Sequence, residues 1–173
     1  MSAKRVFVLG GAASGKSAWA ERQLEKFHRP MVYVATGRIL DAEVAARVEI
    51  HKNRRDERWQ TVEAPLELGP TLEQVSADQA VLIDCATMWL SNHLMENTDI
   101  KQAQHKLISA LRACRAPWVI VSNEVGLGIV PDNALARQFR ELQGRLNIAL
   151  AAEADLAVQV IAGLPQVLKG TLP

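Results

Sequence analysis

A glycine-rich turn that follows a short apolar run constrains the fold of this chain more than any other feature of its sequence. The run is Val6–Leu9, and the turn reads Gly10, Gly11, Ala12, Ala13, Ser14, Gly15, Lys16 and Ser17. This is the pattern G-x-x-x-x-G-K-[ST], in which backbone N–H groups wrap a phosphate because no Cβ blocks the approach. A helical pattern begins at Lys16, which completes the strand, turn and helix that the motif requires. The sequence predicts a nucleoside triphosphate site, with Lys16 at the terminal phosphates and Ser17 on Mg²⁺.

The length and composition set wide bounds on the class of protein. The 173 residues predict one domain, 1–173, that is long enough to bury its own core. A formal net charge of +1 with dispersed Lys and Arg predicts no nucleic-acid surface. No apolar run approaches the roughly 20 residues of a membrane span, and nothing resembles a secretory signal. Cys85 and Cys114 are therefore expected to be reduced thiols in a cytoplasmic protein.

Short apolar runs alternate with amphipathic stretches, which predicts an α/β fold with a mostly parallel central sheet and helices on both faces. The predicted strands are Val6–Leu9, Met31–Ala35, Ala80–Ile83, Trp118–Val121 and Leu156–Ile161. Ligands of such sheets bind beyond the carboxyl ends of the strands. Besides the phosphate loop, polar segments follow the predicted strands at those ends: Ala35, Thr36 and Gly37, then Asp84–Thr87, then Ser122–Glu124.

Four long helices are predicted from the spacing of apolar residues. They cover Lys16–Phe27, Asp41 to about Arg54, Ile100–Arg112 and Asn133–Ala152, and Asp41 is a suitable N-cap. Loops are expected at Glu63–Pro65 and at Gly126–Pro131, where proline and glycine interrupt the pattern.

Asp84 closes the apolar run Ala80–Ile83, at the position where a phosphate-loop enzyme holds Mg²⁺ directly or through water. An acidic residue at the end of a strand is common in itself. Beside a phosphate loop it favours a metal role, because a carboxylate at a buried strand end needs a partner that offsets its desolvation.

The second predicted helix carries a cationic face. Residues three and four apart are neighbours on a helix, so four side chains share one side of it: Arg47, His51, Arg54 and Arg55. Clustered positive charge disfavours the imidazolium and leaves a neutral ring nitrogen that can attack phosphorus, while the arginines neutralise phosphate oxygens. The alternative for this helix, taken alone, is a solvated basic face with an incidental histidine.

Several other polar and aromatic residues each allow two interpretations. Asn123 and Glu124 either contact nucleotide or acceptor, or they cap the turn after their strand. The arginines of the last long helix either form a solvated face with pairing to Glu141 or reach a phosphate, including one in a neighbouring subunit: Arg137, Arg140 and Arg145. The four tryptophans are expected mainly in the core, although two of them can instead line an apolar acceptor site: Trp59 and Trp89. The remaining histidines are expected to be surface or cap residues: His28, His93 and His105.

Taken together, these residues resemble the family of bifunctional adenosylcobinamide kinase / adenosylcobinamide-phosphate guanylyltransferases of cobalamin biosynthesis. The resemblance extends from Val6 to Lys169. Besides the phosphate loop it is carried by long strings in the same order: Asp41–Val48, His51–Arg55, Trp59–Pro65, Thr87–Asn92, Ser122–Asn133, Ala136–Arg140 and Gly144–Asn147.

The resemblance implies a RecA-like P-loop NTPase fold, a homotrimer, and two reactions at one nucleotide site with ATP and GTP as substrates. A triphosphate first phosphorylates the aminopropanol hydroxyl of adenosylcobinamide. GTP then transfers GMP to that phosphate through a guanylyl-histidine and releases pyrophosphate. His51 matches the nucleophile. The implied nucleotide positions are the phosphate loop, Ala35, Thr36, Gly37, Lys52, Asn53, Arg54, Arg55, Glu63 and Asp84.

Two positions depart from the family pattern, and two other functions fit part of the sequence. Ile50 stands where some relatives have a second histidine, and Asp84 stands where a longer Glu occurs, which places the Mg²⁺ contact one bond further away or through water. A small-molecule kinase without nucleotidyl transfer needs the phosphate loop and Asp84 but not His51. A non-catalytic GTP-binding regulator needs the loop alone.

Overall fold

In the computed structural model, which describes residues 3–38 and 56–172, one seven-stranded sheet forms the centre of the molecule. Its order is β3-β2-β4-β5-β1-β6-β7, and all neighbouring pairs are parallel except β6 with β7. The strands are β1 Arg5–Gly10, β2 Met31–Ala35, β3 Trp59–Glu63, β4 Ala80–Asp84, β5 Trp118–Asn123, β6 Leu156–Ile161 and β7 Leu164–Lys169. The described helices are α1 Lys16–Glu25, α2 Leu68–Gln74, α3 Ala86–Met95, α4 Ile100–Ala113 and α5 Ala134–Glu153.

The central strands are apolar on consecutive residues because both faces of the sheet are covered. In β1, Phe7 packs into a core cluster with Ile83 and Trp118, whereas Val8 belongs to the opposite cluster with Trp19 of α1. The other four described helices contribute buried side chains to the first cluster. The predicted mostly parallel sheet with helices on both faces is thus confirmed.

The five predicted strands are all present, but four of the described elements were not predicted from the sequence. They are β3, β7, α2 and α3. The expected loop at Glu63–Pro65 is therefore wrong at its first residue, because Glu63 ends β3 and lies beside Ala35 in parallel register. The first helix ends at Glu25 rather than Phe27, and Asn133 caps the last helix by accepting the N–H of Ala136. The predicted helix from Asp41 to Arg54 lies outside the described residues.

The register of the parallel strands brings the polar segments to one edge of the sheet. Asp84 pairs with Ala35 on one side and with Val121 on the other, and Gly10 pairs with Asn123. The ends of β2, β4, β5 and β1 therefore lie in a row, as the sequence predicted. Within the described ranges, none of the helices has both the length and the apolar character that crossing a membrane requires.

Candidate active site

The phosphate loop links β1 to α1 and keeps its backbone groups available to a ligand. Gly15 is the N-cap of α1, and no side chain caps this helix within the described part of the chain. The first N–H groups of a helix have no partner inside it, and they attract anions. Lys16 extends back over the loop and donates from Nζ to Gly11 O at 2.9 Å. An ammonium held across the mouth of such a loop is suited to neutralise phosphate oxygens.

Two glycines of the loop are required by the surrounding backbone. A Cβ on Gly10 would lie 2.8 Å from Val160 O, closer than real Cβ contacts. Gly15 has φ 89°, a left-handed conformation that favours glycine, and its Cβ would lie 3.0 Å from Gly163 Cα. Gly163 forms part of the turn between β6 and β7, and its N–H donates to Ser14 O at 2.8 Å. The turn of the β6–β7 hairpin therefore packs against the phosphate loop at Ser14 and Gly15.

Asp84 lies at the end of β4, where its carboxylate is half-buried. The phenol of Tyr33 donates to Asp84 Oδ2 at 3.2 Å, a contact that the sequence pattern did not predict. Thr36 sits beside it and is fully buried. Its hydroxyl donates to Cys85 O at 2.7 Å and accepts from the Cys85 N–H at 2.8 Å, while its own N–H donates to Asp84 O. Thr36 thus holds the backbone that positions Asp84, and its polar groups are used inside the protein.

The electrostatics of Cys85 indicate how close the charged groups of the site are. Burial and, to a smaller extent, the charge of Asp84 raise the pKa of the Cys85 thiol to about 11, although two backbone hydrogen bonds and the charge of Lys16 oppose the rise. Both charges therefore act near the same sulfur. Cys85 and Cys114 are free thiols, in agreement with the sequence-based expectation, and the raised pKa keeps Cys85 protonated at neutral pH.

Ser17 and Asp84 have the chemistry that Mg²⁺ prefers, which is hard oxygen ligands. No cluster of three or more His, Cys, Asp or Glu side chains suited to a metal occurs in the described part of the chain. Mg²⁺ is usually held by one or two protein ligands together with substrate phosphates and water. Ser17 and Asp84 would hold the ion in that way.

The remaining predicted nucleotide positions are distributed along the edge of the sheet. Ala35 ends β2, and Gly37 follows it as a half-buried residue. Glu63 is exposed at the end of β3, on the strand next to Ala35. Five positions lie outside the described residues: His51, Lys52, Asn53, Arg54 and Arg55.

The end of β5 lies directly beside the phosphate loop. Glu124 donates from its backbone N–H to Gly10 O at 3.0 Å, which extends the pairing of β5 with β1 beyond the strand. Its Oε1 accepts the N–H of Gly126. Asn123 is held from the other side, because its N–H donates to Thr87 Oγ1 at 2.8 Å. Glu124 therefore caps its turn, as one interpretation expected, and its backbone lies beside the phosphate loop.

A buried polar cluster beneath this segment was missed from the sequence. It joins Thr87 of α3, Ser122 of β5, and Gln143 and Asn147 of α5. Ser122 Oγ donates to Asn147 Oδ1 at 2.6 Å, and Gln143 Nε2 donates to the same oxygen at 2.9 Å. Asn147 Nδ2 in turn donates to Asn123 O at 3.3 Å. Two polar residues four apart on the buried face of an otherwise apolar helix are the sequence signal that could have identified it.

The arginines of α5 mostly bind the loop that precedes the helix. Arg140 donates to the carbonyls of Gly126, Gly128 and Ile129, and Arg137 donates to those of Pro131 and Asp132. These two side chains fix the loop, which neither sequence-based alternative included. Arg145 pairs with Glu141, as one alternative expected.

The tryptophans and the remaining histidines differ in their burial. Trp19, Trp89 and Trp118 are core residues, and Trp89 donates its indole N–H to Leu66 O at 2.7 Å at the side of a groove of about 680 Å³ between α2 and α4. Trp59 is half-buried and contacts Tyr33 edge to face. His93 is buried with its ring against Trp89, which corrects the expectation of a surface residue, whereas His28 and His105 are exposed.

The sheet, the loop and the row of polar strand ends define a P-loop nucleotide-binding protein of RecA-like fold. Among solved structures, the flagellar accessory protein FlaH from Methanocaldococcus jannaschii superposes with a TM-score of 0.53 at 12% identity, covering 99% of this chain and 80% of FlaH. A protein from Pyrococcus horikoshii OT3 gives a TM-score of 0.56 at 8% identity, covering 99% of this chain and 89% of the other. These likenesses concern the fold alone.

Comparison of the sequence with known families identifies the family of this chain. The family model described as cobinamide kinase / cobinamide phosphate guanyltransferase matches residues 6–168, so the chain belongs to that family. The bifunctional adenosylcobalamin biosynthesis protein CobP of Pseudomonas aeruginosa is 37% identical, over 96% of this chain and 98% of its own length. The protein CobU of the same description from Escherichia coli K12 is 38% identical, over 92% of this chain and 96% of its own length.

Proposed function

We propose that this protein phosphorylates adenosylcobinamide with ATP or GTP and then transfers GMP from GTP to adenosylcobinamide phosphate, in the cytoplasm, as a step of cobalamin biosynthesis. The observation that carries the proposal is the match of residues 6–168 to the family, on a chain whose phosphate loop, Lys16 and Asp84 lie at one edge of the sheet. Nearly full coverage of the bifunctional relatives supports both activities in one chain.

In the first reaction the acceptor hydroxyl attacks the γ-phosphorus, and the bond to the β,γ-bridging oxygen breaks. Catalysis of such a step consists mainly of positioning and charge neutralisation. The N–H groups of the loop and of the first turn of α1 would hold the β- and γ-phosphates, and Lys16 would leave Gly11 O to follow the developing charge. Ser17 and Asp84 would hold Mg²⁺, which supplies further neutralisation of the phosphate oxygens when it is bound.

In the second reaction His51 attacks the α-phosphorus of GTP, and pyrophosphate leaves. An oxygen of the acceptor phosphate then attacks the same phosphorus, and the histidine is released. The sequence motif supports this role, because helical spacing would place Arg47, Arg54 and Arg55 on the same face as His51, where they would neutralise the attacked phosphate. The nucleotide contacts proposed for Lys52, Asn53 and Glu63 belong to the same step.

Incubation with α-labelled GTP followed by denaturation tests the proposal. The wild-type protein is expected to retain label, in a bond that survives alkali and breaks in acid, because the P–N bond of a phosphoramidate breaks once its nitrogen is protonated and the imidazole can leave. His51→Asn should lose the label and the guanylyl transfer but keep appreciable kinase activity, because γ-phosphoryl transfer to a hydroxyl passes through no histidine. Lys16→Ala should lose both activities.

His28→Asn is the matched control, since His28 is exposed and has φ 51°, a conformation that asparagine tolerates. It should behave as wild type. A kinase without nucleotidyl transfer would leave no label on any variant, and a GTP-binding regulator would give neither label nor product. Acid-labile GMP on the His51→Asn protein would place the nucleophile elsewhere.

We also propose a homotrimer. The loop before α5 supports this, because the neighbouring residues Ile129 and Val130 are 97% and 68% exposed. Adjacent apolar side chains at such exposure are typical of a protein interface.

A further inference from the structure

A groove of about 550 Å³ runs along the phosphate loop on the side of β5 and β6. One wall is the start of the loop, Gly11–Ser14, and the other is formed by Glu124, Val125, Leu127 and Gly128. Residues 159–162, at the end of β6 and in the hairpin turn, complete the lining. Of these lining residues, only Gly11–Ser14 have a proposed role, which is to bind the nucleotide phosphates.

Glu124 brings the carboxylate of this wall next to the nucleotide site. Its backbone is tied to Gly10 O at 3.0 Å, at the point where β1 passes into the phosphate loop. Its Oε1 accepts the N–H of Gly126, and Arg140 fixes the following turn through its carbonyls. Within residues 3–38 and 56–172, Glu124 makes no ion pair, and its Oε2 has no hydrogen-bond partner. One carboxylate oxygen is thus held in place and the other is available to a ligand.

We propose that this groove binds the alcohol end of the acceptor and that Glu124 is the catalytic base of the kinase reaction. The inference rests on the proposed function and assigns the acceptor subsite within it. The ligand class is a large amide-bearing macrocycle with a short hydroxyl-terminated arm, and the groove offers it an exposed apolar side chain, Leu127, and an amide, Gln159.

The hydroxyl oxygen of the acceptor forms a bond to the γ-phosphorus while the bond from that phosphorus to the β,γ-bridging oxygen breaks, and the electron pair leaves with the nucleoside diphosphate. The hydroxyl proton passes to Glu124 Oε2. A positioned carboxylate that accepts a substrate hydroxyl proton is the arrangement that phosphoryl transfer uses in other kinases.

The fold favours Glu124 over Asp84 for this role. β5 is the direct neighbour of β1, whereas β4 lies one strand further away. Asp84 also accepts a hydrogen bond from Tyr33, and a carboxylate that holds Mg²⁺ is not available as a base. The two carboxylates therefore stand at different strand ends with different partners.

The test compares Glu124→Gln with Glu141→Gln, a carboxylate-to-amide change at an exposed residue of α5. In Glu124→Gln the kcat of the kinase reaction should fall about 100-fold or more, with the KM for nucleotide changed less than about 3-fold. Self-labelling with α-labelled GTP should continue, and GMP transfer to acceptor that already carries its phosphate should proceed at the wild-type rate, because neither step removes a hydroxyl proton. Glu141→Gln should match wild type in every assay.

Three results would overturn the assignment. They are a kinase kcat within about 3-fold of wild type, a parallel loss of kinase activity and self-labelling, or a loss of GMP transfer to the phosphorylated acceptor. If Glu124→Gln does not fold, Glu124→Asp replaces it. That variant keeps the charge, but its side chain is one methylene shorter and holds the carboxylate further from the acceptor hydroxyl. Its kinase kcat must therefore fall while self-labelling continues. Failure of the proposed function itself would instead appear in the wild-type protein, as absence of label and product.

Discussion

At the scale of single residues, the buried His93 links the stability of the fold to pH. Its ring is buried against Trp89, with ring centroids 4.5 Å apart, and its two nitrogens lie 2.8 Å from Thr98 Oγ1 and 3.3 Å from Leu66 O. Burial lowers the pKa of His93 below its usual value, and the positive charges of Arg38 and Lys106 add to this, although the carbonyl of Leu66 and the charge of Glu67 oppose it.

The lowered pKa of His93 predicts that the protein loses stability in mild acid. The unfolded chain binds the proton more readily than the folded one, so the free energy of unfolding rises with pH. The contribution of His93 to this free energy is complete above about pH 6.5, the usual pKa of histidine. It falls as the pH drops through the lowered pKa of the folded state. Urea unfolding at pH values of about 7.5 and 5 is expected to give a smaller pH effect for His93→Gln than for wild type.

His105→Gln serves as the control, because His105 is exposed on α4 and should leave the pH dependence as it is. An equal pH effect in wild type and His93→Gln would show that other groups cause the acid lability.

The sequence predicts residues whose chemistry is local far better than residues that act across the fold. The phosphate loop was predicted in full because eight consecutive residues carry the motif. Tyr33 contacts Asp84 only because β2 and β4 are neighbours, and no pattern within either strand indicates that pairing. The bonds of the Thr36 hydroxyl to Cys85 cross the same pair of strands and were likewise not predicted, and the nucleotide contact expected of Thr36 stays a prediction. The contacts proposed for His51 and Lys52–Arg55 stay predictions.

At the scale of elements, the unpredicted pieces lack the usual signals. β3 is an edge strand with three exposed residues of five, so its sequence does not form an apolar run. β7, at the other edge of the sheet, is also mostly exposed and therefore gives no signal of a buried strand. α3 begins at Ala86 directly after β4, and its N-cap is Cys85, whose sulfur accepts the N–H of Met88 at 3.4 Å. Cysteine is not among the residues that normally mark a helix start.

The contact of α5 with β5 gives a prediction at this scale. Asn147→Leu keeps the approximate size of the side chain but leaves the Ser122 hydroxyl and Gln143 Nε2 without the oxygen that they share. An unsatisfied buried donor costs about 1–3 kcal/mol, so urea unfolding should give a loss in that range. Arg145→Ala, which breaks an exposed pair on the same helix, should cost about 0.5 kcal/mol or less. A loss for Asn147→Leu no larger than for Arg145→Ala would mean that the cluster is replaceable by apolar packing.

At the scale of the whole molecule, the order of the strands decides where the site lies. Alternating apolar and amphipathic segments predict a parallel sheet, but many orders satisfy the handedness of its crossovers. The placement of β5 between β4 and β1 is what brings Glu124 to the phosphate loop, and it follows from the three-dimensional structure and not from any local pattern. The pattern of segments therefore predicts only a parallel sheet. The RecA-like fold, which includes the strand order, was expected from the resemblance to a family.

The last prediction concerns assembly. Light scattering at micromolar concentration is expected to give about three times the chain mass of 19.0 kDa. The loop of Ile129 and Val130 should form part of the contact, because Arg137 and Arg140 hold its backbone in one shape while its apolar side chains face solvent. A charge placed in a buried apolar contact is costly, so Ile129→Asp with Val130→Asp should shift the protein towards the single-chain mass.

Leu168→Asp on β7 is the matched control for this pair of substitutions, since Leu168 is the same kind of exposed apolar residue on another surface. It should leave the assembly intact if the loop forms the contact. Dissociation by Leu168→Asp alone would move the interface to the β6–β7 hairpin, and a single-chain mass for the wild-type protein would exclude the trimer altogether.

Ile129 and Val130 do not line the groove beside Glu124, so the double variant should keep its kinase activity in proportion to the folded protein unless a neighbouring subunit completes the site. A kinase rate that falls with dissociation would therefore indicate that the acceptor is bound between subunits.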